Sequence, residues 1–167
     1  MDIIDNFLDQ DEFDELQTLI MSGDNFPWFF SSTIDYVDEE DKFQFTHMFY
    51  IEHRPVSQFC GNLHPILKKL RPKAIIRIKA NLLTRTSENI QNAFHVDLDG
   101  IPEEKMKQCT TSIFYMNTNN GYTKFEDGTI VESVANRMVT FPADMPHTGS
   151  SCTDDKIRVV INFNYFK

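Results

Sequence analysis

Cysteine is scarce in this chain. There are three, at positions 60, 109 and 152, widely spaced and with no Cys-x-x-Cys pair. That spacing argues against zinc ribbons and thioredoxin chemistry, and points to reduced thiols in an intracellular protein. Long apolar runs are missing too: none approaches the roughly 20 residues of a membrane helix. The start, Met1-Asp2-Ile3-Ile4-Asp5, lacks a basic segment followed by an apolar one, so no secretory signal is expected and the location is read as cytoplasmic. Basic residues are outnumbered, 16 Lys and Arg against 25 Asp and Glu, for a formal charge of −9. Phosphate neutralisation needs Lys and Arg, so such a chain is a poor non-specific binder of nucleic acid. No internal repeat, linker or low-complexity stretch stands out.

What is present suits a globular core: 167 residues, 41% hydrophobic, with 15 Phe. This length fits one domain spanning 1–167. Residues 1–72 read as a support region and 73–167 as the core. Phe13, Leu16, Leu19 and Ile20 recur at helical spacing, so 10–22 reads as an amphipathic helix, with Asp9 as N-cap and Gly23 as its end. Asn25 to Phe30 reads as core packing or as a groove wall, and 36–42 as a solvated acidic loop. Residues 43–51 alternate as a strand, with His47 a structural histidine on its aromatic face. A helix is expected over 56–70, stopped by Arg71-Pro72, with His53 and His64 as surface or capping groups.

In 74–83, Arg77, Lys79 and Asn81 share one strand face, with Ile76, Ile78, Ala80 and Leu82 on the other. Strands follow at 109–117, 136–141 and 157–165. Turns are expected at Asn119-Asn120-Gly121 and, as a hairpin, at Asp127-Gly128. The loop after Asp97, through Gly100 and Pro102, is either a lid or a plain connection. Short strands in the C-terminal half and helices in the N-terminal half predict a mainly β (α+β) fold. The expected core is a double-stranded β-helix, or jelly roll, with N-terminal helices packed outside.

Chemistry concentrates between His95 and Arg158. If Phe94-His95-Val96-Asp97 is extended, His95 and Asp97 project together. His147 lies beyond the bend 142–146 and can return to join them. Two imidazoles and one carboxylate on one side of a metal leave other positions open, which suits Fe(II) and oxygen chemistry. Arg158 sits on the last strand with Val160, Asn162 and Asn164 on its face, opposite Val159, Ile161, Phe163 and Tyr165. Such a polar stripe is costly to bury without partners. A cavity holding a carboxylate ligand, clamped by the flat guanidinium, would supply them.

His-x-Asp, a distal His and an Arg one strand later resemble the Fe(II)- and 2-oxoglutarate-dependent oxygenases. The likeness is to small, single-domain members of the prolyl-4-hydroxylase-like branch. It runs over roughly 75–166, through Thr111-Ser112-Ile113-Phe114-Tyr115-Met116-Asn117, Asn120-Gly121-Tyr122-Thr123-Lys124-Phe125 and Asn136-Arg137-Met138-Val139-Thr140-Phe141-Pro142. The resemblance implies Fe(II) on His95, Asp97 and His147, and 2-oxoglutarate and O2 as cosubstrates, with ascorbate as a candidate auxiliary reductant. Arg158 would take the far carboxylate of 2-oxoglutarate, Thr140 would lend it a hydroxyl, and Asn81 would donate at the metal end. The family's tyrosine on that strand falls near Leu83, which is not a tyrosine. The implied reaction hydroxylates a prolyl, peptidyl or small-molecule substrate while 2-oxoglutarate becomes succinate and CO2. Alternatives are a nucleic-acid demethylase of the same superfamily, which the −9 charge disfavours, a cupin-like metal- or ligand-binding module without turnover, and a protein that keeps the fold only for packing or interaction.

Overall fold

A computed structural model describes residues 1–22, 24–34, 42–98 and 100–167. The elements run β1 (Asp2–Ile4), α1 (Gln10–Gln17), β2 (Phe29–Ser31), β3 (Gln44–Ile51), β4 (Arg54–Pro55), α2 (His64–Leu70), β5 (Ala74–Thr84) and α3 (Glu103–Met106). They continue as β6 (Cys109–Tyr115), β7 (Tyr122–Phe125), β8 (Ile130–Glu132), β9 (Arg137–Pro142), β10 (His147–Gly149) and β11 (Ile157–Phe166). The larger sheet has the order β1-β9-β6-β11-β5-β3-β2, with β4 attached to β3, and the smaller sheet has the order β10-β7-β8. Every strand pair is antiparallel. This is the expected jelly-roll arrangement, mainly β with helices outside.

The period of two along each strand divides the core into layers. On one face of the larger sheet, Ile78, Ala80 and Leu82 of β5 join Val159, Ile161, Phe163 and Tyr165 of β11 against Phe13, Leu16 and Ile20, with Leu63 and Ile66. On the other face, Ile113, Tyr115, Val139, Phe141 and Val160 meet Phe125 and Val131 from the smaller sheet. Strand β11 lies between β5 and β6, so both its edges are paired, and with core layers on both faces residues Arg158 to Tyr165 are all buried. Its alternation therefore separates a wholly apolar face from one bearing Arg158, Asn162 and Asn164.

Several boundaries differ from expectation. The first helix is α-helical only to Gln17 and then winds as a π-helical turn over Thr18–Ser22. Asp9 holds the N-cap position in extended backbone without a side-chain cap bond. The 56–70 helix is a 3₁₀ segment, Gln58–Leu63, capped by the Ser57 hydroxyl, followed by α2. Asp127-Gly128 makes the β7–β8 hairpin turn, with Gly128 at φ +90°. Asn119-Asn120-Gly121 does not make a hairpin: it carries the chain from β6 in the larger sheet to β7 in the smaller one. Gly23 and residues 36–41 lie outside the described residues.

His47 is structural. Its ring bonds the Pro27 carbonyl at 2.7 Å and the Ser57 hydroxyl at 2.8 Å, and stacks near Phe26 and Phe49. Phe26 is core, whereas Ser31, Thr33 and Ile34 just beyond it form part of a cavity wall. Within 25–30, Phe26 packs in the core while Phe29 and Phe30 are exposed, and the cavity wall begins only beyond this stretch, at Ser31.

Candidate metal centre and anion site

His95 and His147 are brought together by their own backbones. Each amide donates to the other residue's carbonyl, at 3.0 and 2.9 Å, an isolated antiparallel bridge outside any longer strand. Strand β10 then holds His147 against β7, opposite Phe125. Phe141 stands edge-on to the His147 ring at 4.9 Å, which fixes its plane. Each imidazole Nδ1 lies 3.2 Å from a carbonyl two residues upstream, Ala93 for His95 and Met145 for His147. With Nδ1–H donated there, each Nε2 keeps its lone pair for a metal, and the acceptors that sequence could not locate are in place.

Asp97 completes the set: one ligand atom from each of His95, Asp97 and His147 lies within 4.8 Å of the others. The carboxylate is heavily supported. Arg77 pairs with it at 3.0 Å, Asn164 donates at 3.1 Å, and Asn162 at 3.3 and 3.4 Å. Burial, the largest single influence, opposes its ionisation. The charges of Arg77, His147 and His95 and the Asn164 bond together outweigh burial and hold the carboxyl below its ordinary range. For His147 burial again comes first and lowers the pKa, with Asp97 pulling the other way. A charged carboxylate beside a neutral imidazole is the protonation state that metal binding requires.

Arg158 occupies another part of the same cavity. It is only 4% exposed, yet among the described residues it has no carboxylate partner. Its Nε donates to the Ser133 hydroxyl at 2.8 Å and one terminal nitrogen to the Thr123 hydroxyl at 3.3 Å. The guanidinium sits 5.8 Å from the Tyr115 ring centre, a cation–π contact. Burial lowers its pKa, though an arginine starts high enough to stay charged. Gly121 exists here for space. A Cβ on it would lie 2.6 Å from Arg158 Cδ and 2.8 Å from Asn119 Oδ1.

A cavity of about 240 Å³ joins these parts, lined by the three candidate ligands, Arg158, Thr123, Asn81, Asn162 and the apolar Leu83, Ile113 and Val160. Two buried acceptors on its wall, Asn81 Oδ1 and Asn162 Oδ1, have no hydrogen-bond partner. A buried cation lacking an anion, beside a His-Asp-His cluster, is what a metal and a carboxylate cosubstrate would satisfy, while the two amide oxygens call for an N–H or O–H donor. Iron(II) and 2-oxoglutarate therefore fit the residues present.

Of the sequence-derived site residues, His95, Asp97, His147, Arg158 and Asn81 all line this cavity. Thr140 does not. It shares a strand face with Met138, opposite Val139 and Phe141, and its hydroxyl bonds Ser112 at 2.8 Å. The hydroxyls that reach Arg158 come from Thr123 and Ser133, which sequence reasoning left without a role. Thr123 could have been found from its alternation with Phe125, both buried on β7. Arg77, Asn162 and Asn164 were placed on the right faces, but their task of holding Asp97 was not seen. Leu83 stands where the family's tyrosine was expected, and its apolar side chain lines the cavity.

This is a 2-oxoglutarate/Fe(II) oxygenase-like fold, and solved structures of that class superpose on nearly the whole chain. A non-heme α-ketoglutarate-dependent epimerase, SnoN from nogalamycin biosynthesis, matches with a TM-score of 0.72 at 12% identity, covering 99% of this chain and 76% of its own. A prolyl hydroxylase from Trichoplax adhaerens, solved with a hypoxia inducible factor peptide fragment, gives 0.66 at 13%, covering 99% and 82%. The viral collagen prolyl hydroxylase of Paramecium Bursaria Chlorella virus-1, solved as its 2OG complex, gives 0.62 at 14%, covering 99% and 95%. No protein-family model and no curated protein sequence matches the chain. At these identities the likeness is one of fold.

Proposed function

We propose that this chain is an Fe(II)- and 2-oxoglutarate-dependent dioxygenase that hydroxylates a prolyl, peptidyl or small-molecule substrate. The observation that carries the reading is Arg158: a buried guanidinium without a carboxylate partner among the described residues, in the same cavity as three candidate metal-ligand side chains. A packing-only protein gains nothing from that arrangement, since an uncompensated buried charge is costly.

Side chains cannot oxidise an unactivated C–H bond, so bound iron(II), with O2 and 2-oxoglutarate, supplies that power as the latter becomes succinate and CO2. Ascorbate would serve as an auxiliary reductant. His95 and His147 hold the metal through Nε2, with Nδ1 anchored to backbone carbonyls. Asp97 holds it through the carboxylate that Arg77, Asn162 and Asn164 keep oriented and charged. Arg158 grips the far carboxylate of 2-oxoglutarate with parallel N–H donors, steadied by Ser133 and Thr123. Asn81 donates to the same cosubstrate at the metal end. Leu83, Ile113 and Val160 keep water from the reacting region. The whole of 1–167 acts as one catalytic unit, with 1–72 as support. No helix among the described residues is long and apolar enough to cross a membrane, and the three cysteines are free thiols, in keeping with a cytoplasmic setting.

Anaerobic titration tests this. Adding Fe(II) and 2-oxoglutarate together is expected to produce a visible charge-transfer band that neither gives alone and that His147→Ala abolishes. Air should then release succinate. A protein that binds the metal but shows no band with 2-oxoglutarate would be a cupin-like binding module instead.

A further inference from the structure

Strand β5 turns Arg77, Lys79 and Asn81 into the cavity. Arg77 is committed to Asp97. Lys79 is not committed to anything: among the described residues it has no ion pair. The loaded site would leave it so. Iron(II) and a 2-oxoglutarate dianion would balance each other, Asp97 balances Arg77, and among the described residues Arg158 and Lys79 remain as excess positive charge. This excess sits inside a chain whose overall charge is −9, so it is local. Lys79 also has a complementary neighbour. Its cross-strand partner on β11 is Asn162, whose Oδ1 is buried without a hydrogen-bond donor. A cation and a free acceptor thus stand side by side on one wall.

Resting on the oxygenase reading, we propose that Lys79 selects the substrate by receiving a carboxylate that the substrate carries. Asn162 Oδ1 accepts a hydrogen bond from an N–H or O–H beside that carboxylate. The substrate is therefore an acid, either a free carboxylic acid or the acidic side chain of a peptide. Partial burial strengthens such a pair relative to one in open water. Burial, and then the like charge of Arg77, lower the Lys79 pKa, with the Asp97 carboxylate pulling the other way.

The test uses full-length protein loaded with Mn(II) and saturating 2-oxoglutarate, titrated calorimetrically with matched probes. One pair is N-acetyl-alanine and its neutral amide. The other is a capped Gly-Asp-Gly peptide and its Gly-Asn-Gly counterpart. At least one acid should bind, with its neutral partner at least about tenfold weaker. Lys79→Met should weaken the acid by a similar factor and leave the neutral probe unchanged, while Lys79→Arg restores acid binding. The arm that responds identifies the source of the carboxylate. Equal binding of acids and amides, undiminished acid binding by Lys79→Met, or no acid binding at all would overturn the proposal. In the same variant, 2-oxoglutarate affinity should match wild type. Its loss there would assign Lys79 to the cosubstrate and also overturn the proposal. Failure of wild-type protein to bind 2-oxoglutarate would instead defeat the oxygenase reading, and the acid titrations, repeated without it, would still decide Lys79.

Discussion

At one end of the cavity Asp97 is met by Arg77, Asn162 and Asn164, and both histidines have their second ring nitrogens engaged. At the other end Arg158 has two hydroxyls and an aromatic ring, but no opposite charge among the described residues. The metal end is assembled before anything binds, while the arginine end is left for a ligand to complete. Groups that must hold a fixed geometry are supported by the protein itself. On the proposed reading, a group that would recognise a transient anion is desolvated in advance, which would make an arriving carboxylate count for more.

Substitutions at the two ends should behave differently. The largest effect is expected from Asp97→Ala. Loss of an outer-shell partner costs about 10–100-fold in metal affinity, so loss of this ligand should exceed about 100-fold by Mn(II) titration. It should also destabilise the metal-free protein by about 3 kcal/mol in urea unfolding, because Arg77 is left facing buried surroundings. Arg158→Met should weaken 2-oxoglutarate binding by at least about 30-fold. It should leave Mn(II) affinity intact and should not lower the stability of the metal-free protein, since an unpaired buried charge is removed. Marked destabilisation by Arg158→Met would mean that the arginine end is structural after all.

Gly121→Ala is a milder probe of that end. The new methyl meets Arg158 Cδ, so 2-oxoglutarate affinity should fall about tenfold through misplacement alone, with Mn(II) affinity unchanged. The smallest effect is on pH dependence. His147 and His47 both have pKa values lowered chiefly by burial from an ordinary 6.5. As pH falls below that value the unfolded chain takes up protons that the native chain resists, so stability of the metal-free protein declines with acidity. Asp97 acts in a separate window. Its contribution is intact above its ordinary value of 3.8 and is lost as pH falls through its lowered one. Urea midpoints at roughly pH 7.5 and 5.5 should show the histidine decline in wild type and equally in Arg158→Met, because an arginine does not titrate there. A flat profile would count against the buried neutral His147.

The jelly roll and the clustering of His95, Asp97 and His147 were legible because both depend on periodicity and order. Alternation along 157–165 gave the two faces of β11, and His-x-Asp with a later His and Arg marked the site. What stayed hidden depends on long-range contact. The fourfold grip on Asp97 draws on β5 and β11, and no spacing rule says that Arg77 reaches Asp97 while Lys79, two residues on, makes no ion pair among the described residues. A hydroxyl near a motif is not thereby on the strand face that meets the smaller sheet: on β9 that face carries Val139 and Phe141, and Thr140 bonds Ser112 instead. Gly121 was read as a turn residue, yet its conformation is ordinary and its value is the room it leaves for Arg158.

The paired amides of His95 and His147 do not stand alone. Asn92 donates to the Gly149 carbonyl, Ser151 to Ile90, and Gln91 bridges Ser150, so the segment 90–95 is fastened along 147–151 like a clasp. Any opening of that clasp separates two candidate metal ligands at once, and an ion between them would lock it. Amide protons of His95 and His147 should therefore exchange with solvent in step, and both should slow together when Mn(II) is added.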